Sequence, residues 1–345
     1  MTNQKLFNVA VVGSTGAVGG QIIKLLEERE FPIKELKLLS SARSAGKKIE
    51  FKNKEITLEE ATSNSFKNID IALFSAGGSV SKELVPHAVE SGAICIDNTS
   101  AFRMDPDTPL IVPEVNIDQL NDHKGVIANP NCSTIQMVAA LKPLYDRYGF
   151  SRIITSTYQA VSGSGKSAID ETIKQSKEFI EGKEVNPDIL PVGSLPVKHQ
   201  IAFNAIPQID TFVDNGYTFE EMKMINETKK IMGDESLEIT VTCVRIPVIF
   251  GHSESVYVEL NKDFDVEEVR SLLSQAPGII VEDQPEEQIY PLATNSAGKL
   301  DVFVGRIRKD LANPRGLNMW IVSDNLLKGA AWNAVQIAEY IAKES

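Results

Sequence analysis

The sequence predicts an α/β chain of two domains, the first built on a parallel sheet and the second of mixed α+β character. Three observations predict it. The chain has 345 residues, and at roughly 150 residues per domain that suggests two. Its first half alternates short apolar runs with helix-period segments across short connections, the pattern of a parallel sheet covered by helices on both faces. Its second half instead mixes long β-branched runs with helices. A content of 42% hydrophobic and 24% charged residues excludes the disordered, collagenous and coiled-coil classes.

The elements follow in order. Residues 6–12 are an apolar run stopped by Gly13 and read as a buried strand. Residues 16–28 read as a helix, with Val18, Ile22, Leu25 and Leu26 spaced for one face. Residues 36–39, 69–74 and 93–96 are further short strands. Between the last two, residues 81–91 are a helix with Leu84, Val85, Ala88 and Val89 inward. A second unit starts near residue 130. Residues 132–147 have helical spacing through Ile135, Val138, Ala139 and Leu141, and residues 152–161 read as a strand. Residues 166–181 form an amphipathic helix with Ile169, Ile173, Ser176 and Ile180 on one stripe. A polar loop containing Pro187, Pro191 and Pro196 follows. Residues 219–232 are helical. Residues 237–249 and 255–260 are long β-branched runs joined through Pro247 and Gly251. Residues 266–274 are a helix and 300–308 a strand. Asp324 is placed to cap a last helix whose apolar face (Leu327, Ala331, Ala334, Val335, Ala338, Ile341) is rich in small residues and suits close docking on the first domain's sheet. The expected division is 1–130 plus 324–345 for the first domain and 131–323 for the second.

Charge and composition exclude several function classes. Lys and Arg number 35 against 47 Asp and Glu, a formal net charge of −12, which argues against nucleic-acid binding. The longest uncharged stretch, residues 125–141, holds Asn129, Pro130, Asn131, Cys132 and Gln136, so no membrane span is expected. No export signal is expected either, because residues 6–12 run straight into Gly13-Ser14-Thr15-Gly16 with no cleavage pattern. Cys95, Cys132 and Cys243 are far apart and lack C-x-x-C spacing, so neither a disulfide framework nor a metal site is indicated. A reducing cytoplasm is the expected location.

Gly13-Ser14-Thr15-Gly16-Ala17-Val18-Gly19 lies between the first strand and the first helix. That is where a dinucleotide fingerprint belongs. Glycines allow a tight turn and close approach of a pyrophosphate, and the helix N-terminus offers free N–H groups. The spacing is G-x-x-G-x-x-G rather than the commoner G-x-G-x-x-G, and its plain alternative is a tight strand–helix turn. An NAD site places an acid near the end of the second strand. Here that position reads Ser40-Ser41-Ala42-Arg43-Ser44. The hydroxyls of Ser40 and Ser44 and the guanidinium of Arg43 suit the 2′-phosphate of NADP instead.

Asn129-Pro130-Asn131-Cys132-Ser133-Thr134 opens the first helix of the second unit, with Asn131 suited to cap it. A thiol in a first helical turn is shifted toward thiolate, the form that attacks an acyl carbon. Cys95 and Cys243 sit inside apolar strands, as small buried hydrophobes do. Of the four histidines, His87 lies on a helix and His123 and His199 in polar loops. His252 follows Gly251 at a strand end, where a side chain projects into a cleft. Arg103 lies just after a strand end, Glu220 and Lys223 share a helix face, and Arg245 interrupts an apolar run. All three features suggest an anionic substrate, although a solvated pair and a structural ion pair are the plain readings of the last two. Arg245 and His252 are seven apart. On an unbroken strand they face opposite ways, so residues 247–251 must re-aim one of them if they are to meet.

These motifs together resemble the aspartate-β-semialdehyde dehydrogenase family over nearly the whole chain. The resemblance rests on residues 13–20, 40–46, 98–103, 112–116, 220–223, 245–254 and 324–331, and on Ser75-Ala76-Gly77-Gly78, Asn129-Pro130-Asn131-Cys132-Ser133-Thr134-Ile135-Gln136, Tyr158-Gln159-Ala160-Val161-Ser162-Gly163-Ser164-Gly165 and, within 245–254, Gly251-His252-Ser253-Glu254. It implies a Rossmann-like dinucleotide-binding domain followed by an α+β substrate and dimerisation domain. It implies NADPH-dependent reductive dephosphorylation of L-4-aspartyl phosphate to L-aspartate 4-semialdehyde, on the route to diaminopimelate, lysine, methionine and threonine. Carried over by position, Cys132 is the nucleophile, His252 the acid/base, and Gln159 orients the thioacyl group. Arg103 and Lys223, helped by Asn131, hold phosphate. Arg245 takes the substrate carboxylate and Glu220 its ammonium group. NADP falls to Gly13, Ser14, Thr15, Gly16, Ala17, Val18, Ser40, Arg43, Ser44, Ser75, Gly77, Ser162, Gly163, Gly165 and Asn325. No metal is implied, and a homodimer or dimer of dimers is. A reductase of N-acetyl-glutamyl phosphate or of a glyceraldehyde phosphate would share the chemistry, but Glu220 suits a free ammonium group. A non-enzymatic NADP sensor would leave Cys132, His252 and Arg245 without purpose.

Overall fold

The protein is described from a computed structural model, which covers residues 5–344. The chain forms two units: one runs to Asn131 and resumes at Ala330, and the other is Cys132–Gly329.

In the first unit the strands are β1 (Phe7–Val12), β2 (Ile33–Ser40), β3 (Lys48–Phe51), β4 (Lys54–Thr57), β5 (Glu59–Glu60), β6 (Ile71–Phe74), β7 (Ile94–Asp97) and β8 (Val126–Ala128), with helices α1 (Ala17–Glu28), α2 (Gly78–Glu90) and the short α3 (Pro113–Asn116). Six strands make one sheet in the order β5-β2-β1-β6-β7-β8, with β3 and β4 a separate hairpin. Every pair in the six-stranded sheet is parallel. Its central strands are buried nearly end to end, as residues covered on both faces must be. The chain moves from β1 outward to β2, then crosses to β6 on the other side. This reversal opens a crevice at the carboxyl ends of β1 and β6.

Two glycines shape that crevice. Gly13 has φ +88°, and a Cβ there would stand 2.8 Å from the Ser75 carbonyl. A Cβ on Gly19 would stand 2.2 Å from the Gly13 carbonyl oxygen, so α1 rests directly on the turn.

In the second unit the elements are α4 (Cys132–Tyr148), β9 (Phe150–Gln159), α5 (Lys166–Ile180), α6 (Phe219–Met232), β10 (Glu238–Arg245), β11 (His252–Leu260), α7 (Val266–Ser274), β12 (Ile279–Val281), α8 (Ala293–Ser296), β13 (Val302–Lys309) and β14 (Gly316–Ser323). One mixed sheet has the order β10-β9-β11-β14-β13-β12. α6 begins with a reciprocal cap between Thr218 and Glu221, and the Glu221 carboxylate also accepts from the Cys243 backbone N–H at 2.9 Å, tying α6 to β10.

The structure departs from the sequence reading at several points, of which three bear on the second unit. The run 237–249 is not one strand. β10 ends at Arg245 and β11 begins at His252, with β9 between them. On α5 the apolar stripe is outside: Ile173 is 43% and Ile180 75% exposed. The buried face is polar because Glu171 accepts from the N–H groups of Asp188 and Ile189, and Gln175 from those of Ile201 and Ala202. β14 was not expected at all.

The last helix, α9 (Trp332–Glu344), follows a π-helical turn at Leu327–Ala331. It packs on α1 and β7 of its own unit, with Arg29 bonded to Glu339 and lying over the Trp332 ring at 4.8 Å. Asp324 is the cap: its Oδ1 accepts from the N–H groups of Leu326 and Leu327. The return to the first unit nevertheless comes at Ala330, not 324. Asp324 Oδ2 accepts from the Gly298 N–H, and the Asp324 carbonyl from the Gly329 N–H, which hold residues 324–329 in the second unit.

Candidate active site

The mixed sheet brings three of the expected residues into one row. Arg245 on β10 is in register with Gln159 on β9. His252 on β11 precedes Ser253, the partner of Tyr158, so it stands level with Gln159 from the other side. The puzzle of seven-residue spacing is thus solved by topology: Arg245 and His252 flank β9 from neighbouring strands and share its face. Gly163 closes the row, since a Cβ there would lie 3.0 Å from Arg245 Nη1 and 3.4 Å from His252 Nε2.

Hydrogen bonds fix each side chain. Gln159 Nε2 donates to Ser133 Oγ at 2.8 Å and to Glu220 Oε1 at 3.2 Å, linking β9 to α4 and α6. Arg245 Nη1 donates to the Ala160 carbonyl at 2.7 Å, and the Ala160 N–H donates to His252 Nδ1 at 3.0 Å. One residue therefore holds both the guanidinium and the imidazole. Lys223 reaches Asp210 at 2.9 Å and Glu220 at 3.4 Å, so the pair foreseen on α6 is a triad. Asp210 carries no sequence signal, because it lies in a loop distant in sequence from α6's apolar pattern.

Cys132 is the first residue of α4, partly exposed, with its Cβ packed on Gly329. Its position in the first helical turn favours the thiolate. Arg245 favours it too, because the charges of Cys132 and Glu220 are coupled to the guanidinium. Burial draws the Arg245 pKa down from 12.5, but a guanidinium stays ionised even so. His252 is fully buried beside that cation, and burial first, then Arg245, hold its pKa well below 6.5. The ring is neutral, with Nδ1 the acceptor and Nε2 carrying the proton. Among the described residues Nε2 has no hydrogen-bond partner. It is a donor aimed at something the protein does not supply. The other two thiols differ sharply. Burial pushes Cys95 up to about 12 and raises Cys243 well above its usual value.

The first unit carries Arg103 and Asn131. Arg103 is buried, with Nε donating to the Asn129 carbonyl at 2.9 Å and Nη2 to that of Asn98 at 2.8 Å. The side chains of Asn98, Asn129 and Asn333 bond one another and hold those carbonyls in place. Two backbone carbonyls thus fix the orientation of a buried guanidinium.

The crevice of the parallel sheet is a cavity of about 490 Å³ lined by Gly13, Thr15, Gly16, Ser40, Ser41 and Ser75, with Glu60, Glu83 and apolar Val80 and Leu84. The glycine turn, the N-terminus of α1 and the orphaned hydroxyl of Ser75 fit a dinucleotide. Ser14 is not part of the lining: its backbone N–H and its hydroxyl both donate to the Leu39 carbonyl. Ala17, Val18 and Gly77 lie beside the cavity in sequence without lining it. Neither Arg43, exposed on the turn after Ser40, nor the buried Ser44 is part of the lining. Glu60 was missed. It pairs with Ser40 through a two-residue strand, too short to leave a pattern. In the second unit Ser162 and Asn325 are buried against each other, and Asn325 also accepts from the Gly251 N–H at 3.0 Å. They brace the residue before His252. Gly165, with φ +88°, starts α5.

Comparison with known proteins matches these two units. Residues 8–123 match the family described as semialdehyde dehydrogenase, NAD binding domain, and residues 141–328 match semialdehyde dehydrogenase, dimerisation domain. Aspartate-semialdehyde dehydrogenase of Bacillus subtilis is 59% identical over 97% of both chains, and that of Aquifex aeolicus 55% over 98% of both. The crystal structure of aspartate semialdehyde dehydrogenase II from Vibrio cholerae, complexed with ASA, superposes with a TM-score of 0.93 at 47% identity, covering 98% of this chain and 99% of that one. The Candida albicans enzyme with NADP superposes at 0.74 with 26% identity, covering 97% and 98%. With its thiol, imidazole, guanidinium and glycine turn on this fold, the chain belongs to the aspartate-semialdehyde dehydrogenase family.

Proposed function

We propose that the chain reduces L-4-aspartyl phosphate to L-aspartate 4-semialdehyde with NADPH, releasing phosphate, through a thioester on Cys132. The semialdehyde is the branch point toward diaminopimelate, lysine, methionine and threonine. The observation that carries the reading is the row Arg245–Gln159–His252 in the unit that bears Cys132, with an Nε2–H on His252 that has no hydrogen-bond partner among the described residues.

Each residue has a task. The Cys132 thiolate attacks the acyl carbon, forming C–S as the bond to phosphate breaks. Arg103, Lys223 and Asn131 take the charge of the leaving phosphate. Arg245 holds the substrate carboxylate and Glu220 its ammonium group. Gln159, anchored by Ser133 and Glu220, orients the acyl group. NADPH, held by the glycine turn, Ser40, Arg43 and Ser75, supplies hydride to the same carbon when bound. The His252 Nε2–H hydrogen-bonds the oxyanion. That oxyanion collapses to aldehyde by expelling the thiolate, which needs no proton. The single proton the net reaction consumes ends on the departing phosphate.

The exposed apolar side chains Ile173, Phe179, Ile180 and Phe203 of the second unit support a homodimer or dimer of dimers. Among the described residues no helix is long and apolar enough to cross a membrane, and a reducing cytoplasm would keep Cys132 a thiol. The test follows NADPH formed from aspartate semialdehyde and phosphate. Cys132→Ala is expected to abolish it, and a full rate in that variant removes the covalent route. Iodoacetamide should label Cys132 at neutral pH ahead of Cys95 and Cys243, with the semialdehyde protecting.

A further inference from the structure

One buried acid has no part in that chemistry. Glu254 lies two residues beyond His252 on β11, so its side chain shares the imidazole's face, one step deeper in the sheet. It is 0% exposed, and among the described residues no donor satisfies either Oε with a well-formed hydrogen bond. The row behind the catalytic row is therefore Glu254, Thr157 and Cys243, matched in register across β11, β9 and β10.

The polar group nearest in influence is Gln136, which approaches the carboxyl loosely. Gln136 is one turn after Cys132 on α4, hence on the nucleophile's side of that helix. Its Oε1 accepts from Ser323 Oγ at 2.7 Å, and its Nε2 points to the His252 carbonyl at 3.4 Å. Gln136 thus joins the helix of Cys132 to the strands carrying His252 and Ser323, and Glu254 backs it. A carboxylate sealed here without donors would be very costly, whereas a carboxylic acid is both donor and acceptor. Burial raises its pKa well above 4.5, in agreement. The titratable neighbours are Cys243 across the sheet, itself an un-ionised thiol, and neutral His252 on its own strand.

We propose that Glu254 is a positioning residue for the reaction, its un-ionised carboxyl backing Gln136 so that Cys132 and His252 keep their register. The proposal rests on the reading of those two residues as the reacting pair. A carboxylic acid and a primary amide have nearly the same shape and both offer a donor and an acceptor. Glu254→Gln should therefore restore what apolar variants lose.

The experiment uses the full-length enzyme with semialdehyde, phosphate and NADP. Glu254→Ala and the volume-matched Glu254→Met should lower kcat about tenfold or more, with KM for phosphate changed less than about twofold, as expected for misplacement of reacting groups. Glu254→Gln should keep kcat within about twofold of wild type. Wild-type kcat in the apolar variants, or a folded Glu254→Gln as slow as Glu254→Ala, overturns the proposal. Infrared spectroscopy supplies a readout that does not depend on activity or on the apolar variants folding. The carbonyl band of a protonated carboxyl should be present at neutral pH in wild type and absent from Glu254→Gln, and its absence from wild type overturns the proposal. An inactive wild type that shows the band would indict the assigned reaction, not the buried acid.

Discussion

The backbone N–H of Ala160 donates to Nδ1 of His252 at 3.0 Å. That single bond decides what the imidazole can do. With Nδ1 filled, the proton of the neutral ring sits on Nε2, and in the proposed function that suits the ring to act as an electrophile rather than as a base for the Cys132 thiol. Arg245 and the N-terminus of α4 are left to stabilise the thiolate. His252→Gln should accordingly lower kcat by about 10²-fold or more. The pH dependence of Cys132 alkylation by iodoacetamide should stay nearly where it is in wild type. A large rise in the thiol pKa of that variant would restore the thiolate–imidazolium pair and refute this reading.

Arg245 has two ties that a lysine cannot reproduce together, its bond to the Ala160 carbonyl and, in the proposed function, a fork for the substrate carboxylate. Arg245→Lys keeps the charge and loses the fork. The expected loss is about 3 kcal/mol in transition-state binding, roughly 100-fold in kcat/KM for the semialdehyde. Alkylation of Cys132 should also need higher pH. Unchanged steady-state constants would show that a point charge suffices.

Gly163 separates two readings of the segment after β9. A Cβ there meets Arg245 Nη1 at 3.0 Å and the His252 ring at 3.3 Å. Gly163→Ala should therefore push on the reacting groups and cost about 10- to 100-fold in kcat, with NADP affinity measured by fluorescence titration little changed. Weakened NADP binding at unchanged kcat would instead assign Gly163 to the cofactor.

Much of this was legible in the sequence, and the exceptions have physical causes. Helices α6 and α7 span the expected residues 219–232 and 266–274, and each starts at a side-chain cap, Thr218 with Glu221 and Asp265 with two N–H groups. Such signals are local. The meeting of Arg245 and His252 is not, since it depends on β9 coming between their strands from some 90 residues upstream, a pairing no periodicity reveals. The outward stripe on α5 was misread because periodicity tells which residues share a face, not which way the face points. Glu171 and Gln175 bury because loop N–H groups wait for them. β14 escaped because Asn318 interrupts its apolar run next to a turn at Asn313 and Gly316.

Two opposing signals bear on the choice of cofactor, of which only Glu60 is in the lining of the cavity. Arg43 stands exposed on the turn after Ser40, and Glu60 lines the cavity in register with Ser40. A 2′-phosphate favours the first and is repelled by the second. Arg43→Ala should raise KM for NADP about tenfold while leaving that for NAD within about twofold, by the strength of one charge-assisted contact. Equal effects on both cofactors would remove Arg43 from phosphate recognition.

The buried carboxyl of Glu254 also leaves a mark on stability. Its folded pKa lies above the unfolded value near 4.5, so above that pH the unfolded chain releases a proton that the native protein keeps. The native state then binds more protons, and stability falls as pH rises from about 4.5 toward the folded pKa, levelling only beyond it. Glu254→Gln has no such proton to lose. The melting temperatures of the two proteins should therefore diverge as pH is raised from 4.5 to 7, with the variant gaining on wild type. His252 works the other way. Its depressed pKa makes stability fall as pH drops below about 6.5, in both proteins alike. Taking the difference between the two melting curves cancels that contribution and isolates the carboxyl. A flat difference between pH 4.5 and 7 would mean that Glu254 is ionised in the folded protein, and with that the un-ionised bridge to Gln136 would fail.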